Sequence, residues 1–190
     1  MKLPALFLLC ACALPALAAE PSDPTEKARA YVTSTLKSWA ADPIIIAAVI
    51  EQNARHAGLT QVDIDALDLA WRAELGKAVH PMVDGVVRSA PSDFLRQQLE
   101  QAQGMITEAF VMDEKGLNVA ASATTSDFWQ GDEAKFTETF PKGPYAVHLG
   151  EVEFDESSQA YQIQVSFPLT NPADGRVIGA ITVALNAEQL

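Results

Sequence analysis

The chain has 190 residues, of which 48% are hydrophobic and 20% charged, with a formal net charge of −12. That length suits one domain of ordinary size with a core of its own. So acidic a surface repels phosphate backbones and anionic headgroups, which excludes nucleic acid as a partner.

Lys2 opens a minimal basic region, Leu3 to Leu17 is apolar apart from Cys10 and Cys12, and Ala16-Leu17-Ala18 supplies small residues at −3 and −1. This is the layout of a secretory signal peptide over residues 1–18, with cleavage before Ala19. As a helix the apolar run would reach about 25 Å, short of a hydrocarbon core of roughly 30 Å. Leu9-Cys10-Ala11-Cys12 imitates a lipidation box but stands too early in the run, so lipoprotein anchoring is not expected. Removing residues 1–18 leaves 172 of the 190 residues and takes the formal charge from −12 to −13, Lys2 being the charge removed. Both cysteines leave with it, so no disulfide, thiolate nucleophile or cysteine metal site is expected in the mature chain. The expected product is exported to the periplasm and does not insert into a membrane after cleavage.

Residues 19–104 read as a helical segment. Pro24 after Ser22-Asp23 starts a helix whose stripe is Ala28, Tyr31, Val32 and Leu36. Asp42-Pro43 restarts a helix that carries Ile44 to Ile50 and stops near His56-Ala57-Gly58. Thr60-Gln61-Val62-Asp63 resembles a capping box with Asp in place of Glu, and Pro81 and Pro91 divide the remainder into two shorter helices. From Met105 the period changes. Met105 to Met112 and Leu117 to Ser122 flank a hairpin turn at Asp113-Glu114-Lys115-Gly116. Residues 123–144 form a polar and aromatic insert with a short helix around Asp132 to Phe140. Three strands follow at Tyr145 to Phe154, Ala160 to Leu169 and Arg176 to Leu185. In the second, Tyr161, Ile163, Val165 and Phe167 alternate with Gln162, Gln164 and Ser166. The fold class is α+β: N-terminal helices packed on a five-stranded antiparallel sheet, with the insert roofing the other face.

Phe110-Val111-Met112-Asp113-Glu114-Lys115-Gly116-Leu117-Asn118-Val119-Ala120-Ala121-Ser122 resembles the first hairpin of bacterial extracytoplasmic PAS-like sensor domains of the Cache (PDC) type. Val165-Ser166-Phe167-Pro168-Leu169 and Asp174-Gly175-Arg176-Val177-Ile178-Gly179-Ala180-Ile181-Thr182-Val183 are similar to their last two strands. The resemblance covers residues 105–190 and implies a PAS-like sheet with a ligand-roofing segment at Thr125 to Lys135. Amino-acid-binding members carry a Tyr and Arg pair around that segment. Residues 127–142 contain no arginine, which leaves the ligand class open.

The candidate ligand-binding residues are Ser122, Asp127, Trp129, Gln130, Lys142, Tyr145, Gln164 and Ser166. Asp127-Phe128-Trp129-Gln130 mixes aromatic and hydrogen-bonding groups as a pocket wall does, though the same residues serve equally as a cap on the sheet. Lys142 offers a cation or is simply solvated. Gln162, Gln164 and Ser166 share a face and need partners if that face is covered. His56, His80 and His148 have no metal-ligand spacing, and Asp63, Asp65 and Asp68 lack the glycine of a calcium loop and suit the first turns of a helix. No nucleophile elbow, P-loop or dinucleotide fingerprint occurs, so neither catalysis nor a cofactor is expected. The expected function is a stand-alone sensor domain that binds a small polar molecule and signals through a membrane sensor or transporter protein. The alternative is a periplasmic protein-interaction adaptor with the same fold and no small ligand.

Overall fold

The computed structural model describes residues 23–156 and 158–190. The signal-peptide reading of residues 1–18, with Cys10 and Cys12, falls outside the described residues. Helix α1 (Pro24–Tyr31) runs through a π-helical turn (Val32–Leu36) into α2 (Lys37–Ala40), followed by α3 (Pro43–His56), α4 (Gln61–Glu74), α5 (Pro81–Val87) and α6 (Ala90–Gln101). Their starts follow the expected chemistry. The Asp23 side chain accepts from Thr25 N, that of Asp42 from Ile44 N, and Thr60 with Asp63 forms a reciprocal capping box. Each such cap satisfies a backbone donor that the first helical turn leaves unpaired.

The sheet is built from β1 (Ile106–Asp113), β2 (Asn118–Ala121), β3 (His148–Asp155), β4 (Ala160–Thr170) and β5 (Val177–Asn186). All neighbours are antiparallel, in the order β2-β1-β5-β4-β3. This is the α+β architecture the patterning implies, with the first and last strands of the sheet domain side by side at its centre. Short helix α7 (Ala134–Thr137) and a 3₁₀ turn (Phe140–Lys142) lie in the insert between β2 and β3. Pro168 sits in β4 beyond the last residue paired to β3, Ser166, where its missing N–H breaks no ladder on that side.

The two faces of the sheet differ. Ala28, Val32, Leu36, Ile45 and Val49 from the helices pack with Val111, Ile163, Val165, Phe167, Ile181 and Val183, all buried. Alternation along β4 thus aims one set of side chains at the helices, while Tyr161 at the strand end remains 51% exposed. A second apolar cluster forms on the other face around β1 and β2, where Phe110, Met112 and Leu117 meet Trp71, Phe128 and Phe136.

One buried carboxylate ties the helices to the hairpin. Asp113 at the end of β1 has a fully buried side chain. Its Oδ2 accepts from Gln52 Nε2 at 3.0 Å and lies 2.8 Å from His56 Nδ1, and its Oδ1 accepts from the backbone N–H of Lys115 and Leu117 at 2.8 and 3.0 Å. Asn53, beside Gln52 on α3, donates to the Ile178 carbonyl and accepts from Glu114 N. Asp113→Ala removes an acceptor that four donors use, of which Gln52 keeps the Asn118 carbonyl, and it is expected to lower the unfolding free energy by about 3 kcal/mol. Urea unfolding with an unchanged denaturant slope measures it; a loss under about 0.5 kcal/mol contradicts the role given to this carboxylate.

Candidate functional site

The insert is fastened to α4 and to the β1–β2 turn by backbone contacts. Asp68, mid-way along α4, accepts from Phe128 N at 2.9 Å and Trp129 N at 3.0 Å through one oxygen, and from Arg72 Nε at 2.7 Å through the other. Trp71 donates its indole N–H to the Thr125 carbonyl at 2.9 Å and stacks on Phe128 with ring centroids 5.3 Å apart. Asn118 of β2 donates its side-chain amide to the Asp127 carbonyl and its backbone N–H to the Phe128 carbonyl. At the turn, Gln130 N donates to the Gly116 carbonyl at 2.8 Å. Gly116 has φ +81°, and a Cβ there would stand 2.5 Å from Gly131 Cα, so the turn needs glycine both for its backbone and for the approach of the insert.

Fixed in this way, the insert spans a sheet face of two characters. Over β1 and β2 it is apolar, and the Phe136 ring stacks on Phe140 at 5.1 Å. Over β4 and β3 it is polar, and a cavity of about 320 Å³ opens there. Glu133 and Lys135 line it from the insert, and His148, Glu151, Glu153, Gln162 and Gln164 line it from the sheet. The register explains the grouping, since Glu153 lies opposite Gln162 and His148 opposite Ser166. A bulge between Leu149 and Val152 brings Gly150 and Glu151 in beside Gln164.

Lys135 is the central cation. Its side chain is 16% exposed, with Nζ 2.9 Å from a Glu133 oxygen, 3.3 Å from Gln130 Oε1 and 5.3 Å from the centroid of the Phe110 ring. Glu108 shares this face of β1, paired to Ala184. Burial pushes its carboxyl above the ordinary glutamate range, the positive charge of Lys135 opposes that, and Asp155 adds to the rise. Deeper in the sheet, Ser166 and Thr182 satisfy each other at 2.9 Å, and Thr107 Oγ1 donates to Gln162 Oε1 at 2.8 Å.

The eight residues singled out from the sequence are distributed over several places. Gln164 lines the cavity, and Ser166 is enclosed beneath it with Thr182. Gln130 is buried and joins the Asp127 carbonyl to Lys135. Asp127 pairs with Arg72 at 2.7 Å and Trp129 donates its indole N–H to the Lys115 carbonyl, both on an outer groove of about 430 Å³ between α4 and the insert. Ser122 accepts from Ala109 N and continues the β1–β2 ladder. Lys142 is exposed, 3.5 Å from Glu138, and Tyr145 is 92% exposed beside a separate groove near α2. Sequence reading passed over Lys135, Glu133, Glu153 and Glu108. The alternation of Gln162 with Gln164 and Ser166 marked the strand face, but nothing local marked which charges the insert lowers onto it.

Among the described residues no group of histidine, cysteine, aspartate and glutamate is placed to hold a metal ion, and no helix is long and apolar enough to cross a membrane.

The sign of the Glu108 shift fixes a pH dependence. Its native carboxyl holds a proton at pH values where the unfolded one has lost it, so this group favours folding at low pH and ceases to as pH rises through the native value. Glu108→Gln is therefore expected to gain stability relative to the parent chain as pH is raised from 4 to 8. Thermal or urea unfolding of both proteins across that range tests this, and a difference that is flat or of opposite slope rules it out.

No family model and no curated protein matches the chain. Among solved structures it is similar to the sensor domain of the Vibrio cholerae histidine kinase DctB, at 14% identity over 87% of this chain and 55% of that one, with a TM-score of 0.38. It is similar to the ligand-binding domain of the Campylobacter jejuni chemoreceptor Tlp3 in complex with 4-methylisoleucine, at 11% identity over 84% and 64%, TM-score 0.41. An extracellular ligand binding receptor from Desulfohalobium retbaense matches at 16% identity over 76% of this chain and 25% of that one, TM-score 0.39. The chain spans less than two thirds of the length of each of these three.

Proposed function

We propose that the protein is an exported sensor domain that binds a small polar molecule between its insert and its sheet and signals through a partner protein, a membrane sensor or transporter. One observation carries the reading: the β3–β4 half of the sheet face beneath the insert is polar and lines an open cavity of about 320 Å³, instead of being packed with apolar side chains as the β1–β2 half is. Covered polar groups cost free energy unless paired, so a fold with no use for this face would fill it. Gln164 has no hydrogen-bond partner for its amide among the described residues, and Gln162 bonds through its oxygen alone. In this proposal Gln164 touches the ligand, Lys135 fixes Glu133 at the edge of the cavity, Ser166 sets the floor, and Asp127, Trp129 and Gln130 hold the roof in place.

A second reading has an observation of its own. Val62 and Leu69, seven residues apart on α4, are 76% and 68% exposed, which suits a helix face that docks on another protein. That surface serves an adaptor, and it serves equally as the contact through which a sensor reports.

Thermal unfolding against a panel of small carboxylates, amino acids, sugars, amines and purines tests the sensor reading. A ligand at one hundred times its dissociation constant adds about 2.7 kcal/mol to stability, a shift of several degrees. Gln164→Leu and Lys135→Met are each expected to weaken that ligand about tenfold, or 1.4 kcal/mol. A ligand whose affinity neither substitution changes counts against this cavity, and capture of a partner that is abolished by Leu69→Glu without any ligand favours the adaptor.

A further inference from the structure

The proposed cavity has an unequal charge inventory. Glu133, Glu151 and Glu153 line it, Glu108 stands on the same sheet face, and Lys135 is the one lysine or arginine among the lining residues. Lys135 is not free to meet an anion, because a Glu133 oxygen holds its ammonium at 2.9 Å and the Gln130 amide oxygen lies 3.3 Å away. A carboxylate ligand would therefore have to displace Glu133 and would still face Glu151 and Glu153 on the lining. A cation meets no such barrier. The carboxylates attract it, the more so at low salt. The chain's formal charge of −12 adds a long-range field of the same sign.

A second observation points to what else the ligand carries. Gln162 is 7% exposed, and its amide oxygen is taken by the Thr107 hydroxyl. Its NH₂ has no protein acceptor among the described residues and lies on the cavity wall, opposite Glu153 across the β3–β4 ladder. That amide faces the cavity, where it can donate to water or to an oxygen of whatever fills the space. The wall thus presents carboxylates for a positive group and, one strand away, amide hydrogens for a neutral oxygen.

We propose that the ligand of this cavity is a small organic cation, an amine or quaternary ammonium with a neutral hydroxyl or carbonyl oxygen and no carboxylate of its own. This rests on the sensor reading above and narrows it. The ammonium end sits among Glu133, Glu151 and Glu153, the oxygen accepts from Gln162, and Gln164 offers an amide to either end. Lys135 acts as a positioning residue that holds Glu133 over the cavity.

Titration calorimetry of the purified full chain tests the proposal with 2-aminoethanol, choline and 1,4-diaminobutane, set beside ethylene glycol, acetate, succinate and glycine. The amines are expected to bind at least about tenfold more tightly than the matched alcohol or acids. Their affinity should fall as salt is raised, and should drop about fivefold in each of Glu133→Gln and Glu153→Gln. Gln162→Leu should weaken 2-aminoethanol and choline more than the diamine, which has no oxygen. The two glutamate variants alter exposed or partly exposed side chains, and unfolding curves of each serve as the control that they fold. Binding of acetate, succinate, glycine or the diol that is lost in Gln164→Leu, with no amine binding, overturns the charge assignment and leaves the sensor reading standing. Amine binding that survives both glutamate variants but is lost in Asp127→Asn or Asp132→Asn moves the cation to the outer groove and overturns this site. No binding by any of the seven compounds overturns this proposal, and a broader panel that is equally silent removes the sensor reading with it.

Discussion

The position of everything above the sheet depends on one carboxylate that has no contact with solvent. Asp113 closes β1, and through its two oxygens it fixes the turn that follows and the helix that lies behind it. A carboxylate oxygen can only accept, so the hydrogen between it and His56 sits on Nδ1. That sets the orientation of the imidazole at the end of α3 while Gln52, one turn back, reaches both Asp113 and the Asn118 carbonyl. The β1–β2 turn is consequently not a free hairpin tip. It is a rigid platform whose Lys115 and Gly116 carbonyls receive Trp129 and Gln130 from the insert. The chain of constraint runs from α3 to the turn, from the turn to the insert, and from the insert to Lys135.

A second line of constraint meets it from α4. Asp68 is an acid in the middle of a helix, where an unpaired buried carboxylate would be costly, and it is satisfied by two backbone N–H groups of the insert and by Arg72. Those bonds and the Trp71 indole hold residues 125–129 along their length. The roof therefore behaves as part of the folded core, and the cavity beneath it has a preformed shape, which reduces the ordering cost a ligand must offset.

Legibility in the sequence followed the range of the interaction. Caps, turns and strand alternation act over a few residues, so Asp42, Thr60 with Asp63, the glycine of the 113–116 turn and the Tyr161-to-Phe167 stripe could be read directly. The site depends on pairs far apart in the chain. Asp68 meets Phe128 across sixty residues and Gln52 meets Asp113 across sixty-one. Asp68 looked like helix-dipole chemistry, and its bond to the insert had no local signal. Asp127 and Trp129 were noticed for a composition typical of pocket walls; their polar atoms engage Arg72 and the Lys115 carbonyl. Lys135 had only an ordinary lysine's context until the fold placed it over Phe110.

The division of one sheet face into a dry and a wet half explains why a single insert can do two jobs. Packing Phe128, Phe136 and the Trp71 ring onto Phe110, Met112 and Leu117 buries apolar surface at about 25 cal/mol per Å², and this supplies an apolar anchor for the insert. In the polar half Ser166 and Thr182 satisfy each other, Thr107 covers the Gln162 oxygen, and the remaining donors and carboxylates face space. Its outer wall is β3, the edge strand, whose Glu151 and Glu153 are exposed and whose charge also discourages pairing with a strand of another chain. A substitution in the wet half should therefore alter what the cavity holds at little cost to folding, whereas one in the dry half should loosen the roof and alter both. The separation of these two effects within a single face follows from where the aromatic residues of the insert end and its charged residues begin.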